Sequence, residues 1–275
     1  MKAFRGKPSI YGSTHSEERR ADLELNGITL RFGGITAINK ISLKVNSGEL
    51  VGIIGPNGAG KTSLLNCITG YYKPQKGSII FNGEDVTGIP THHLTSIGIG
   101  RTFQNIELFA GMSVLSNMLL ARNLHCKYNL AQASFFSRAV RREEVRHRRI
   151  LEELIDFLEM QSIRKELVGS LPYGMRKRVE LGRALALEPK LLVLDEPLAG
   201  MTLEEKEDMV RFLVELNTAW KQTMILVEHD MSIVMGISDR ISVLDFGVKI
   251  AEGTPDQIQN HPEVIKAYLG DTTFV

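Results

Sequence analysis

The residues Gly55-Pro56-Asn57-Gly58-Ala59-Gly60-Lys61-Thr62 carry the spacing G-x-x-x-x-G-K-[ST]. Glycines at these positions let the backbone curl until its N–H groups converge on phosphate oxygens, and a helix starting there turns the positive end of its dipole toward the same anion. Lys61 is then placed to neutralise the β- and γ-phosphates, and Ser63 to add a phosphate hydrogen bond. The Thr62 hydroxyl is the expected ligand of Mg²⁺, a hard cation that keeps several waters and takes few protein oxygens. A second chemically loaded stretch lies downstream, where Leu191-Leu192-Val193-Leu194 ends in Asp195-Glu196. Acids at the carboxyl end of a buried strand stand where open α/β sheets bind ligands. Successive strand side chains point in opposite directions, so Asp195 is placed to hold magnesium through water and Glu196 to take a proton from an attacking water. A positioned base of this kind contributes about 10²–10⁴-fold in rate.

Both stretches need a scaffold that brings strand ends together. Leu50 to Ile54, directly before the glycine loop, is continuously apolar like a parallel strand buried on both faces. Met224 to Val227 and Ile241 to Leu244 repeat that character and are separated by helical patterns, which predicts an α/β class with a mostly parallel sheet. Upstream, Leu23, Leu25, Ile28, Leu30 and Phe32 alternate with polar residues and change parity at Asn26-Gly27, the pattern of edge strands with a turn or bulge; Ile41 to Val45 alternates again. Between Leu115 and Val168 the stripe Ile150, Leu151, Leu154, Ile155 and Leu158 predicts an inserted helical lobe. Thr254-Pro255-Asp256-Gln257 reads as a capped helix start, and a further short helix is expected from Pro262 to Gly270. Residues 1–20 are polar without an apolar period and are expected to be a disordered leader to a domain spanning 21–275.

Composition narrows the partners. The chain has 275 residues, with 33 Lys plus Arg against 32 Asp plus Glu, so no global field draws it to nucleic acid or anionic lipid. No apolar run approaches the roughly 18 residues that cross a bilayer, and the N-terminus lacks a signal-peptide core, so a cytoplasmic location is expected. Cys67 and Cys126 lack metal-ligand spacing. The run Arg138, Arg141, Arg142, Arg146, Arg148 and Arg149 is interleaved with Glu143 and Glu144, and reads as a solvated helix face in preference to a headgroup-facing one.

Together with Gly100-Arg101-Thr102-Phe103-Gln104 and Val227-Glu228-His229-Asp230, these motifs resemble an ABC-transporter ATP-binding subunit from about Asp22 to Gly270. The resemblance implies a P-loop NTPase core with an N-terminal antiparallel β subdomain, an α-helical subdomain inserted at roughly 105–185, and C-terminal helices at roughly 254–270. By the same resemblance Gln104 touches magnesium and the attacking water, His229 contacts the γ-phosphate, and Phe32 stacks on adenine. ATP and Mg²⁺ are the implied ligands. Arg101 to Asn105, Glu228 to Met231, Gly253-Thr254-Pro255 and Ala267-Tyr268-Leu269-Gly270 are similar to the ATPases of branched-chain amino-acid importers and their relatives for amides and urea. The implied partners are a second ATPase copy or a related subunit, integral membrane permease subunits on the inner face of the cell membrane and, indirectly, a solute-binding protein, with no nucleic acid.

Two segments depart from the family's pattern. Its usual Leu-Ser-Gly-Gly-Gln, which caps the partner subunit's ATP, reads Leu171-Pro172-Tyr173-Gly174-Met175 here; Pro172 offers neither hydroxyl nor N–H, which implies a weakened but functional nucleotide sandwich. The usual Ser-Ala-Leu-Asp reads Ala199-Gly200-Met201-Thr202, yet Thr202-Leu203-Glu204-Glu205 still forms a capping box. The apolar residues Ile106, Leu108, Phe109 and Met112 are either a groove for a permease helix or ordinary lobe core. Two other functions share these motifs: the ATPase of a lipid or lipopolysaccharide exporter, and a regulatory subunit that binds ATP without turning it over.

Overall fold

The computed structural model describes residues 22–102, 106–125 and 138–269. Among them, ten strands form two sheets. The six-stranded sheet runs β10 (Val248–Gly253), β9 (Arg240–Asp245), β3 (Leu50–Ile54), β8 (Thr223–Val227), β7 (Leu191–Asp195), β6 (Ile99–Arg101). It is parallel except for β10, which pairs antiparallel with β9. The four-stranded sheet is antiparallel, in the order β2 (Ile35–Val45), β1 (Leu23–Phe32), β4 (Lys76–Phe81), β5 (Glu84–Asp85).

The unbroken apolar runs of β3, β7 and β8 follow from covering both faces of the parallel sheet. On β7, Leu191 and Val193 pack with the antiparallel sheet and with Leu64, Leu65 and Ile68 of α1 (Lys61–Ile68). The alternate residues Leu192 and Leu194 enter a second cluster with the helical lobe. That lobe is built from α3 (Val114–Arg122), α4 (Arg138–Phe157) and α5 (Tyr173–Ala186), following α2 (Thr91–Ile97), and its core contains Met118, Leu151, Leu154, Leu158 and Val179. Arg122 crosslinks the lobe: its guanidinium donates to His147 Nδ1 at 3.0 Å and to the Ala186 carbonyl at 2.9 Å, and it pairs with Glu188. Burial, then the Arg122 charge, push the His147 pKa down. This favours a neutral imidazole with an accepting Nδ1. On the opposite face of the lobe, Arg141, Arg142, Arg146, Arg148 and Arg149 are exposed, as a solvated helix face requires.

The chain closes with α6 (Leu203–Thr218), α7 (Met231–Ile237), α8 (Pro255–Gln259) and α9 (Pro262–Leu269). Gln257 Oε1 accepts from the Thr254 N–H at 2.9 Å, as its capping position predicts. Three expectations need correction. Leu23 to Phe32 is an inner strand, because β4 pairs with its far side; the parity change at Asn26-Gly27 is a bulge within it, with Gly27 N–H donating to Ser42 Oγ. β2 starts at Ile35, not Ile41. Strands β4, β5, β6 and β10 were not anticipated. The leader 1–20, Phe103, Gln104, Asn105, Cys126 and Gly270 lie outside the described residues. Among the described residues no helix is long and apolar enough to cross a membrane.

Candidate functional site

The glycine loop leaves β3 hard against β9. A Cβ on Gly55, where φ is 151°, would come within 2.0 Å of the Leu244 carbonyl oxygen, so only glycine fits. Gly60, in the left-handed conformation at φ 98°, opens α1, whose first turn carries no acid. That leaves the helix N-terminus electropositive toward an anion. Lys61 is buried, and its ammonium reaches back to donate to the Gly55 carbonyl at 2.7 Å and the Pro56 carbonyl at 3.1 Å. Burial pulls its pKa down, and the Glu196 and Asp195 carboxylates push it back up. The loop lysine and the two strand-end acids therefore share one electrostatic site. Thr62 is exposed at the helix start, Ser63 is half-buried, and Asn57 and Gly58 are exposed, whereas Gly55 and Ala59 are buried. The Ala59 carbonyl accepts from the Gly247 N–H at 3.0 Å, which fastens the loop to the β9–β10 turn. On its other side the Tyr268 hydroxyl is hydrogen-bonded to the Gly55 backbone, and burial pushes that phenol up to about 12.

Asp195 and Glu196 go to different partners. Asp195 Oδ2 pairs with Arg101 Nη2 at 2.7 Å, and the same guanidinium donates to Asn66 Oδ1 at 2.6 Å and Thr69 Oγ1 at 3.0 Å, tying β7, β6 and α1 together. Asp195 Oδ1 is buried with no hydrogen-bond partner among the described residues. Glu196 sits at φ 48°, a left-handed conformation that costs a side-chain-bearing residue energy and concentrates at functional sites. Its N–H donates to the Val227 carbonyl at 2.9 Å, and its Oε1 lies 2.7 Å from His229 Nε2. With a proton on Nε2 the imidazole donates to the carboxylate. His229 is exposed and Glu196 is largely covered, so the pair faces solvent through the imidazole. Phe32, 45% exposed, meets Tyr72 edge-on at 5.0 Å and keeps surface for a flat ring.

The segment Leu171 to Met175 begins α5, with Pro172 at its cap and no side-chain hydrogen bond there. Leu171 is buried, Met175 packs against the lobe core, and Tyr173 is exposed. The described contacts of this segment run to the start of α6 rather than to the glycine loop. Tyr173 lies against Gly200, and a Cβ on Gly174 would fall 2.2 Å from Glu205 Oε1. Glu205 is the capping-box residue: its Oε2 accepts from the Thr202 N–H at 3.0 Å and its own N–H donates to Thr202 Oγ1 at 3.3 Å. The sequence reading missed Arg101, Glu228 and Tyr268 as organisers of this edge. Each lies inside a motif quoted for the resemblance, and that membership was the available signal.

A glycine loop that shares its charge with strand-end acids, on a parallel sheet covered on both faces, defines a nucleotide-binding α/β ATPase. The family profile described as ABC transporter matches residues 38–199, and that described as branched-chain amino acid ATP-binding cassette transporter matches residues 248–272. The high-affinity branched-chain amino acid transport ATP-binding protein BraF of Pseudomonas aeruginosa is 40% identical over 252 residues, covering 92% of this chain and 99% of the relative. The corresponding protein LivG of Escherichia coli is 39% identical, covering 90% and 98%. Among solved structures, an ATP-binding cassette of an ABC transporter in its ADP conformation superimposes with a TM-score of 0.78 at 32% identity, covering 91% of this chain and 99% of that one. A dimeric bacterial ABC transporter cassette gives 0.72 at 25% identity, covering 85% and 98%. The chain belongs to the ABC transporter family, as one of its ATP-hydrolysing cassettes.

Proposed function

We propose that the chain is the motor of an importer for branched-chain amino acids or related amides, working as a dimer, with a second copy or a related ATPase subunit, beneath membrane permease subunits on the cytoplasmic face. The observation that carries the hydrolysing-motor part of this reading is the Glu196 carboxylate 2.7 Å from His229 Nε2, on the edge where buried Lys61 feels both strand-end acids; the importer part is supported by the likeness to the branched-chain amino acid transport proteins. In this reading residues 21–275 act as one ATPase domain. Gly55 to Ser63 hold the ATP phosphates, Phe32 stacks on adenine, Glu196 takes the proton of the attacking water, His229 contacts the γ-phosphate, and Gln104 orients the water. The buried Asp195 Oδ1, unpartnered among the described residues, and the exposed Thr62 at the helix start suit a hard divalent cation that keeps its waters; with Gln104 they would hold Mg²⁺. When bound, the ion neutralises charge on the phosphates.

Leu171 to Met175 of one subunit close over the ATP held by the other, and closure moves the attached permease halves between orientations. The work comes from ATP binding the closed dimer better than the open one, since equal affinity would shift nothing. The solute is the one named for the relatives, delivered by a solute-binding protein. A regulatory, non-hydrolysing subunit is the second reading, favoured by the uncapped Pro172 and opposed by the Glu196–His229 pair.

One experiment separates these readings. The Glu196→Gln protein is expected to keep its ATP affinity and to lose roughly 10²–10⁴-fold in phosphate release. Hydrolysis at the parent rate would remove Glu196 as the base, and absence of turnover in the parent, assayed with its co-purified permease, would favour the regulatory subunit. Leucine uptake by liposomes holding that complex tests the solute.

A further inference from the structure

The carboxylate of Glu228 is not used by the reaction described above, yet it lies between the two residues that are. Glu228 directly follows β8 and is only 5% exposed. Its Oε1 accepts from the Leu198 N–H at 2.8 Å, and its Oε2 accepts from the His229 N–H at 3.1 Å. Leu198 lies two residues beyond Glu196, and the intervening Pro197 has no N–H, so Leu198 is the first donor available after the base. On the near side of the base, the Glu196 N–H is held by the Val227 carbonyl. The left-handed backbone at Glu196 is thus clamped from both flanks by consecutive residues of one strand end, as a strained conformation needs if it is to persist.

We propose that Glu228 is a positioning residue for hydrolysis: one carboxylate fastens the loop after Glu196 to the backbone of His229 and so sets the separation of base and histidine. The proposal rests on the assignment of Glu196 as base. The choice of side chain supports it. Two N–H donors converge on this point, and an ionised carboxylate is the side chain that offers acceptors alone, whereas glutamine would turn an NH₂ toward one of them. Burial pushes the Glu228 pKa up, and the neighbouring Glu196 charge adds to that push. The groups facing it are the Leu198 and His229 N–H donors, which lower its pKa, together with the charges of Glu196 and His229.

The test compares Glu228→Ala, Glu228→Gln and Glu196→Gln in the full-length protein, reading kcat, KM and equilibrium ATP affinity. For Glu228→Ala the expected result is ATP affinity and KM within about threefold of the parent, and kcat lower by roughly 10- to 100-fold. Glu228→Gln should fall between Ala and the parent, because its single carbonyl oxygen still takes one of the two N–H groups. A merely structural role would move affinity and kcat together in both variants, and that result overturns the proposal, as does a Glu228→Ala kcat within twofold of the parent. If Glu196→Gln is inactive while Glu228→Ala behaves like the parent, only this proposal fails. If Glu196→Gln hydrolyses normally, the assignment of the base fails and takes the proposal with it.

Discussion

Pro172 and Glu196 show how single residues set this site in opposite ways. Glu196 departs from ordinary backbone geometry, and the structure holds it there through Val227 and its contact with His229. Pro172 is conformationally ordinary, with φ −53° and ψ 155°, yet it removes two groups from the N-terminus of α5 that an anion would use, a cap hydroxyl and its own N–H. A serine there restores both; an N-cap side chain alone is worth about 0.5–2 kcal/mol. Pro172→Ser is therefore expected to tighten ATP-driven dimerisation or raise turnover by several-fold, read by analytical ultracentrifugation with ATP and by phosphate release. If neither moves, the hydroxyl is irrelevant to the sandwich. At this scale the sequence was informative wherever chemistry demands a residue type: the lysine, the threonine and the acids stand where their spacing placed them. Arg101 and Glu228 were not legible, because each acts through partners distant in the chain, Asn66 and Asp195 for the first and Leu198 for the second.

Among the elements, legibility followed length and the strength of the local signal. β3, β7 and β8 are buried at every residue because both sheet faces are covered, and the helix start at Thr202 keeps its reciprocal hydrogen bonds as the capping pattern requires. β6 escaped because Ile99-Gly100-Arg101 is too short to show a period and exists only by pairing with β7. The inner place of β1 was equally invisible, since its outer neighbour β4 begins with Lys76-Gly77-Ser78 and carries little strand character there. α9 offers a test of how an element remote from the nucleotide shapes the loop. Its Tyr268 hydroxyl meets the Gly55 backbone at the tightest point of the glycine loop, where Leu244 already excludes any side chain. Tyr268→Phe keeps the ring but strands a hydrogen-bonding group, a loss of about 1–3 kcal/mol. The expected outcome is ATP affinity weaker by about 5- to 100-fold with the fold retained. Calorimetric titration together with thermal melting measures both, and unchanged affinity would show that α9 only covers the sheet.

At the scale of the whole molecule, the candidate site lies along one edge of the six-stranded sheet and the helical lobe packs on one of its faces, so in the proposed importer a signal between nucleotide and permease runs through the lobe. Asn117 of α3 shows how the lobe presents a fixed surface. Its fully buried amide accepts from the Phe109 N–H at 2.9 Å and donates to the carbonyls of Phe109 at 3.0 Å, Met112 at 3.3 Å and Ser113 at 3.1 Å. The loop 109–113 is thereby pinned while its apolar side chains stay outside: Phe109 is 59% and Met112 38% exposed, with Leu167 at 53%. Leu108 packs inward, so the stretch divides between the two readings left open by the sequence, with Leu108 as lobe core and Phe109 and Met112 as surface. An aromatic ring held on a pinned backbone loses little entropy on docking, which suits an apolar permease segment. Phe109→Asp is accordingly expected to abolish co-purification of the permease and ATP-driven uptake while leaving ATP affinity and melting temperature near the parent values, because the ring is exposed and is not a member of the buried lobe cluster. Retention of the permease by that variant would move the docking site elsewhere and leave the exposed ring without a role.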